Sequence, residues 1–238
     1  MTSAAPLVRL RGVSKAYHSA TGSEVVLQHV DLTIEAGEKV SLMGPSGSGK
    51  STLLSLIAGL LRPDAGTVEL DGVPLSGLDD RGRAALRSER IGIALQSDNL
   101  IPFLSAAENV ELALGFGRRG NNRDRDRNRD RDRDRNRDRN RAKELLDRVG
   151  VVNRSDHFPR QLSGGEAQRV ALAVAMANGP ALLLADEMVS ALDSSTAALV
   201  VDEVFAGEMA VLFVTHTAEL ADRAERRLRV RGHTVVAR

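Results

Sequence analysis

The chain contains the stretch Gly44-Pro45-Ser46-Gly47-Ser48-Gly49-Lys50-Ser51-Thr52, which matches the phosphate-binding pattern G-x-x-x-x-G-K-[ST] at every fixed position. Before it, Lys39-Val40-Ser41-Leu42-Met43 is typical of a short buried strand. After it, apolar residues between 53 and 61 recur at the spacing of one helix face. A strand, a glycine-rich loop and a helix form the context in which this pattern binds a polyphosphate, so the alternative of an ordinary glycine-rich turn is disfavoured.

The residue types in this loop suit that chemistry. Its glycines let the backbone turn tightly, so that successive N–H groups and the positive end of the helix converge on phosphate. Lys50 supplies a mobile charge for the β and γ phosphates, Ser51 ligates the bridging Mg²⁺, and Thr52 donates to a phosphate oxygen. The predicted phosphate-binding residues are Gly44, Ser46, Gly47, Ser48, Gly49, Lys50, Ser51 and Thr52.

Length and composition restrict the classes of protein to which the chain can belong. A length of 238 residues with 42% hydrophobic content fits one large domain or a domain with an insert. The chain has no cysteine, which excludes disulfides and thiolate metal sites. No apolar run approaches the roughly 18 residues of a membrane span, and residues 1–6 are too short and polar for a signal peptide. We therefore expect a soluble, cytoplasmic protein that needs a partner to act at a membrane.

Residues 121–141 consist only of Arg, Asp and Asn, with ten Arg and six Asp. This Arg/Asp tract holds all of the excess positive charge, since the rest of the chain has 23 basic and 26 acidic residues. It has no apolar side chain to bury, so we expect disorder. A linker is the favoured interpretation, because alternating charges give little field beyond a Debye length of about 8 Å. Contact with anionic lipid or with RNA is the alternative.

The rest of the chain alternates between strand and helix patterns, which indicates an α/β fold with a mostly parallel sheet. Residues 7–34 predict an antiparallel β arm, and apolar strands are predicted at 91–95, 181–185 and 210–215. We therefore predict a single domain over 1–238. Its α/β core comprises about 1–96 and 161–238, and a helical insert spans about 97–160, with 121–141 disordered within it.

Polar motifs follow the predicted strands, at the edge where ligands of parallel sheets gather. In phosphoryl transfer, Asp186 can orient Mg²⁺ or its waters, and Glu187 can polarise the attacking water. Taken singly, such a pair is often a helix N-terminus, Ser163-x-x-Glu166 a capping box, and a lone His216 structural. Their occurrence in this order behind a phosphate loop favours catalysis.

In these residues the sequence resembles the ATP-binding subunits of ABC transporters, over essentially the whole chain except the Arg/Asp tract. The segment Leu162-Ser163-Gly164-Gly165-Glu166-Ala167-Gln168 is similar to the family signature. Gln96 matches the Q-loop, Ser190-Ala191-Leu192-Asp193 the D-loop, His216 the switch histidine and Tyr17 the aromatic position beside adenine.

The resemblance implies ATP and Mg²⁺ as cofactors. It also implies a head-to-tail dimer with a second copy of the chain or with a homologous ATPase subunit, in which the loop of one subunit and the signature of the other enclose ATP. It implies a membrane permease as partner, at the inner face of the plasma membrane, and no nucleic acid. The implied catalytic residues are Glu187, His216 and Gln96. The implied metal ligands are Ser51, Gln96 and Asp186. Further nucleotide-binding residues are Tyr17, Ser163, Gly164, Gly165, Glu166 and Asp193.

Within the family, residues 96–102 and 108–110 resemble the subgroup that serves lipoprotein-release, macrolide-export and cell-division permeases. The chain departs from the usual pattern at Met188-Val189, which replaces Pro-Thr, at Val174 in place of Arg, and at Thr217 in place of Asp. Of these, Met188 is expected to alter the geometry of Glu187 and to lower turnover.

The leading functional hypothesis is an ATP-hydrolysing subunit that energises a separate permease by an export or mechanotransmission mechanism. The alternative is a nucleotide-switched regulatory ATPase that acts on a membrane complex without transport. A nucleic-acid-associated ATPase is a third hypothesis. It is disfavoured because the chain is short and the Arg/Asp tract has no aromatic residue for base stacking.

Overall fold

The computed structural model describes residues 5–19, 22–94, 100–119 and 131–237. Its helices, named in chain order, are α1 Lys50–Ile57, α2 Asp80–Arg90, α3 Ala106–Arg119, α4 Arg131–Arg148, α5 Gly164–Met176, α6 Ser194–Phe205 and α7 Ala218–Ala221. The strands are β1 Val8–Ser19, β2 Gly22–Ile34, β3 Lys39–Met43, β4 Ala65–Leu70, β5 Val73–Pro74, β6 Ile91–Ala94, β7 Leu182–Asp186, β8 Ala210–Val214, β9 Arg226–Arg231 and β10 Thr234–Ala237.

The central sheet has the strand order β10-β9-β3-β8-β7-β6. All neighbouring pairs are parallel except β10 and β9, which form an antiparallel hairpin at one edge. Strands β3, β7 and β8 lie in the middle and are buried along almost their whole length. This burial on both faces explains the near-continuous apolar sequences of β7 and β8. The antiparallel β9–β10 hairpin was not predicted from the sequence.

A second sheet, with the order β2-β1-β4-β5, is antiparallel throughout. It corresponds to the predicted β arm and packs over the face of the central sheet that carries α1, since residues from both sheets and from α1 share one core cluster. In this packing β2 lies directly against the phosphate loop, since a Cβ at Gly49 would lie 2.8 Å from Val26 Cγ1 on β2. Only glycine fits there.

The central sheet separates two hydrophobic clusters, and successive residues of a strand enter opposite ones. On β7, Leu182 and Leu184 belong to the cluster with α1, whereas Leu183 and Ala185 belong to the cluster with α3, α4 and α5. This alternation is the period-2 geometry of a strand with both faces covered. The helices between β6 and α5 therefore share their core with the sheet.

The expected disorder of 121–141 is contradicted for its second half, since α4 already begins at Arg131. Residues 121–130 lie outside the described part of the chain. The helix is anchored downstream, where Ala142, Leu145, Leu146 and Val149 are buried. Once that end is packed, each further residue extends an existing helix without a new nucleation cost, and arginine has a high helix propensity.

Within the described ranges, we find no helix that combines the length and the apolarity needed to cross a bilayer.

Candidate functional site

Three central strands end side by side and bring the predicted motifs together. In register, Leu42 of β3 pairs with Val214 of β8, and Val214 pairs with Asp186 of β7. The phosphate loop follows β3, Glu187 follows β7, and His216 follows β8 by two residues. The carboxyl edge of the sheet therefore carries the loop, the two carboxylates and the histidine as one site.

The loop has the backbone of a phosphate cradle. Gly47 and Gly49 have φ values of 74° and 98°, in the region that side chains disfavour. A Cβ at Gly44 would lie 2.7 Å from Ser48 Oγ. Ser48 Oγ is itself buried with no hydrogen-bond partner within the described ranges. A buried hydroxyl without a partner and a loop with no room for Cβ atoms fit a phosphate as the missing acceptor.

Lys50 is only 8% exposed, and its side chain folds back onto the loop. Its Nζ donates to the carbonyl oxygens of Gly44, at 2.9 Å, and Pro45, at 2.8 Å. An ammonium group has three donors, so one remains for a ligand in this arrangement. The loop thus holds the positive charge against its own carbonyl oxygens.

A hard-oxygen pair lies beside the start of α1. Ser51 Oγ donates to Asp186 Oδ2 at 2.7 Å. Among the described residues, no cluster of three or more His, Cys, Asp or Glu side chains could hold a metal by itself. One hydroxyl and one carboxylate fit Mg²⁺ that is completed by phosphate oxygens and water, as is usual for this ion.

Glu187 has a left-handed backbone with φ of 56°, which is rare for a residue with a side chain. Such a conformation costs on the order of 1–3 kcal/mol and persists only where its surroundings hold it. Here the Glu187 N–H donates to Val214 O at 3.1 Å. The carboxylate Oε1 lies 3.1 Å from His216 Nε2, so Glu187 and His216 form a pair.

One departure from the family pattern, Met188 in place of proline, has a physical explanation. Its side chain is 2% exposed and belongs to the core cluster with α5. A proline at this position would push Glu187 towards extended backbone, whereas methionine permits the left-handed conformation. Met188 is therefore compatible with the observed orientation of Glu187.

The signature begins α5 with a reciprocal cap. Ser163 Oγ accepts from Glu166 N at 3.2 Å, and Ser163 N donates to Glu166 Oε2 at 2.8 Å. The two glycines differ. A Cβ at Gly164 would meet no atom closer than 3.8 Å, whereas one at Gly165 would lie 2.8 Å from Leu192 Cδ2. Gly164 thus leaves an open approach to the helix N-terminus, and Gly165 is required by packing on the D-loop.

Comparison with known proteins agrees with this geometry. The family profile described as ABC transporter matches residues 27–190, which include the loop, the signature and both carboxylates. The chain belongs to the ABC transporter family.

Relatives match this cassette over most of its length. It is 45% identical to the lipoprotein-releasing system ATP-binding protein LolD of Ruegeria pomeroyi, over 94% of this chain and 95% of that protein. It is 42% identical to the macrolide export ATP-binding/permease protein MacB of Rhodopseudomonas palustris, over 97% of this chain but 34% of that protein.

One solved structure is a dimeric, post-hydrolysis state of the ATP-binding cassette MJ0796 bound to ADP and Pi. It superimposes on this cassette with a TM-score of 0.86 at 38% identity, covering 96% of both chains. The predicted family, the phosphate-loop α/β fold and the function of an ATP-hydrolysing transport subunit are therefore confirmed at the level of the family.

Three further residues of the cassette were predicted to bind the nucleotide or the metal, namely Tyr17, Asp193 and Gln96. The Tyr17 ring is 44% exposed, and its hydroxyl lies 3.4 Å from Thr52 Oγ1, so the ring is beside the loop. Asp193 caps α6, where bonds from Ser195 Oγ and Thr196 N lower its pKa. Gln96 lies outside the described residues, and its predicted roles in catalysis and metal binding stay predictions.

Gln168 is a residue of the cassette's signature for which the sequence pattern predicts no separate role. Gln168 Nε2 donates to the carbonyl oxygen of Glu187, and its Oε1 accepts from Ala191 N at 3.1 Å. Helical spacing was the available signal, because residue 168 follows Gly164 by four positions and so faces the same side of α5.

Glu166 makes the stability of the cassette depend on pH. The Ser163 N–H bond and the Arg154 guanidinium, whose Nε is 2.7 Å from Oε1, lower the Glu166 pKa from 4.5 to about 2. The ionised Glu166 carboxylate therefore stabilises the folded state fully above pH 4.5. This stabilisation is lost as the pH falls towards 2. We expect Glu166→Gln to lower the melting temperature at pH 7, with a gap to wild type that narrows from pH 5 to pH 3. A gap that stays constant over this range of thermal unfolding measurements would contradict the role of the charge.

Proposed function

We propose that this chain binds ATP and Mg²⁺ between its phosphate loop and the signature of a second cassette, hydrolyses the ATP, and thereby drives a separate membrane permease. The observation that carries the proposal is the meeting of two pairs, Ser51 with Asp186 and Glu187 with His216, at the carboxyl ends of β3, β7 and β8.

Each of these residues has one task in the proposed reaction. When bound, Mg²⁺ would neutralise negative charge on the γ-phosphoryl group of ATP, which water attacks. Lys50 would donate to the β and γ phosphates, and Ser51 and Asp186 would hold the metal and its waters. Glu187 accepts the proton of the attacking water through its carboxylate, while His216 Nε2 orients that carboxylate. Ring stacking on Tyr17 adds affinity for adenine.

The second cassette completes the site. The open approach to Gly164 supports direct contact of the α5 N-terminus with a γ-phosphate, which the helix dipole and the free N–H groups favour. Ser163, Gly164, Gly165 and Glu166 would thus contact the nucleotide that is held by the loop of the other chain, together with Asp193 of the D-loop. The dimer described for the MJ0796 cassette supports this arrangement.

The permease is proposed from the relatives. The relatives are a lipoprotein-releasing system ATP-binding protein and a macrolide export ATP-binding/permease protein, and these names support a membrane permease as the partner. We place this cassette on the cytoplasmic side of the plasma membrane, bound to that permease, without a nucleic acid partner.

Mixing two inactive variants tests the composite site. A Lys50→Ala chain lacks a working loop, and a Ser163→Arg chain lacks a working signature. Their heterodimer has one intact site and one doubly damaged site. Phosphate release should reappear on mixing, at about a quarter of the wild-type rate for random exchange and independent sites, and lower if the sites are coupled.

The control mixes the Lys50→Ala chain with a Lys50→Ala/Ser163→Arg chain, a pair that contains no intact site and should stay inactive. Full activity of either single variant alone would contradict a site that is shared between two chains.

A further inference from the structure

The side chain of Gln168 joins the signature helix to the catalytic carboxylate of the same chain. Its Nε2 donates to Glu187 O and lies 3.4 Å from Ser190 Oγ, while its Oε1 accepts from Ala191 N at 3.1 Å. One amide group thus contacts the segment 187–191 through both of its ends. These contacts bridge 19 to 23 positions of sequence, from α5 to the segment that follows β7.

Packing reinforces the same connection. A Cβ at Gly165 would lie 2.8 Å from Leu192 Cδ2 and 2.9 Å from Ala191 O, so the first turn of α5 touches the D-loop with no gap. A displacement of this turn must therefore move the D-loop or break the contacts of Gln168. The first turn of α5 and the segment 187–192 are therefore in direct contact.

Gln168 contacts the carbonyl oxygen of Glu187, an atom whose bonds orient the backbone of that residue. The carbonyl of this left-handed residue also accepts from Ser190 N and Ser190 Oγ, each at 3.1 Å. These bonds fix the peptide plane after Glu187, and the plane fixes where its side chain starts. The side chain that starts there places Oε1 3.1 Å from His216 Nε2.

We propose that Gln168 is a positioning residue, which sets the backbone of Glu187 in its own chain and couples the two ATP sites of the dimer. The inference rests on the proposed function, because the signature of one chain then closes the site of the other. A phosphate that contacts Ser163 and Gly164 moves the first turn of α5. Gln168, one helical turn further on the same face, transmits that movement to the base of its own site.

The first test separates positioning from binding. Gln168→Met keeps the length of the side chain but removes both hydrogen bonds, and Gln168→Glu keeps the acceptor for Ala191 N while losing the donor to Glu187 O. Both should lower kcat about tenfold, since a small misplacement of a catalytic group can cost up to about a hundredfold. KM for ATP should stay within about twofold, because the phosphate loop is untouched.

The matched control is Gln161→Met, the same substitution seven positions earlier, where the amide caps Phe158 N instead. It should leave kcat unchanged. An unchanged kcat in Gln168→Met, or a kcat in Gln168→Glu equal to that of wild type, would overturn the proposal. Wild-type hydrolysis and its loss in Lys50→Ala are measured in the same series, so a failure of the proposed function is recognised separately.

The second test asks which of the two sites Gln168 serves, with heterodimers purified through two different tags. In a dimer of Lys50→Ala with Gln168→Met, the one intact loop uses the Glu187 of the substituted chain. In a dimer of wild type with Lys50→Ala/Gln168→Met, the intact loop uses a wild-type Glu187 and the signature of the substituted chain. Both are compared with the dimer of wild type and Lys50→Ala.

We expect the first dimer to be about tenfold slower than this reference and the second to equal it within about twofold. A loss in the second dimer alone would show that Gln168 acts through the signature in the other site. Equal losses in both would indicate general damage to α5. Either result overturns the proposal, and the homodimer comparison decides it if the reference dimer is too slow to assay.

Discussion

Replacing Glu187 by glutamine should lower the turnover number for ATP hydrolysis by about a hundredfold to ten-thousandfold, the range in which general bases contribute. The amide has nearly the same shape as the carboxylate, but it cannot accept a proton from water. ATP binding should persist, because the loop is unchanged, and the dimer should accumulate with ATP enclosed. Steady-state phosphate release and size-exclusion chromatography with Mg²⁺ and ATP measure the two effects.

Glu219→Gln is the matched control for this experiment, since Glu219 lines the same cleft as Glu187 and His216 but is exposed at the start of α7. It should hydrolyse ATP like the wild type. Wild-type turnover in Glu187→Gln would mean that another group takes the proton, and the assignment of the base would be wrong.

Replacing Lys50 by alanine should weaken ATP binding by about a hundredfold or more. Hydrogen bonds to charged groups are worth about 1.5–3 kcal/mol each, and about 2.7 kcal/mol corresponds to a hundredfold change in Kd. The loss should be larger for ATP than for ADP, because Lys50 also contacts the γ-phosphate in the proposed complex. Titration calorimetry with both nucleotides provides the comparison.

Lys143→Ala removes an exposed lysine on α4 and serves as the control for net charge. Circular dichroism should show an intact fold in Lys50→Ala, since in the described structure Lys50 Nζ contacts only carbonyls of the loop itself. An affinity of folded Lys50→Ala within threefold of wild type would exclude the proposed role of the ammonium group.

The parts of this site that the sequence predicts are those governed by local spacing. The phosphate loop needs its glycines, lysine and hydroxyl at fixed offsets, and its strand and helix flanks lie next to it in sequence. Asp186 and Glu187 follow an apolar strand directly, so their place at the sheet edge also follows from the pattern. These predictions require no knowledge of how distant segments pack.

Other features depend on contacts between distant segments. Packing requires a glycine at position 165, because a Cβ there is blocked by Leu192, a residue that lies far away in sequence. The left-handed backbone of Glu187 depends on Val214 and Gln168, which lie on β8 and α5. No local pattern contains either constraint.

The Arg/Asp tract shows a different reason for an incomplete prediction. Its composition gives no apolar face, so disorder was the natural expectation. Residues 131–141 are nevertheless helical, because they continue into the buried positions of α4. Helix propagation from a packed end is cooperative, and composition alone does not contain that information.

The strand order has a consequence for a chain that is cut between α3 and α4. The first fragment would carry β3 and β6, and the second would carry β7, β8, β9 and β10, so the order β10-β9-β3-β8-β7-β6 interleaves the two. Separation would break the β9–β3, β3–β8 and β7–β6 pairs and expose unpaired edges in the middle of a hydrophobic sheet. The two pieces would remain one noncovalent body, and neither would be a stable protein without the other.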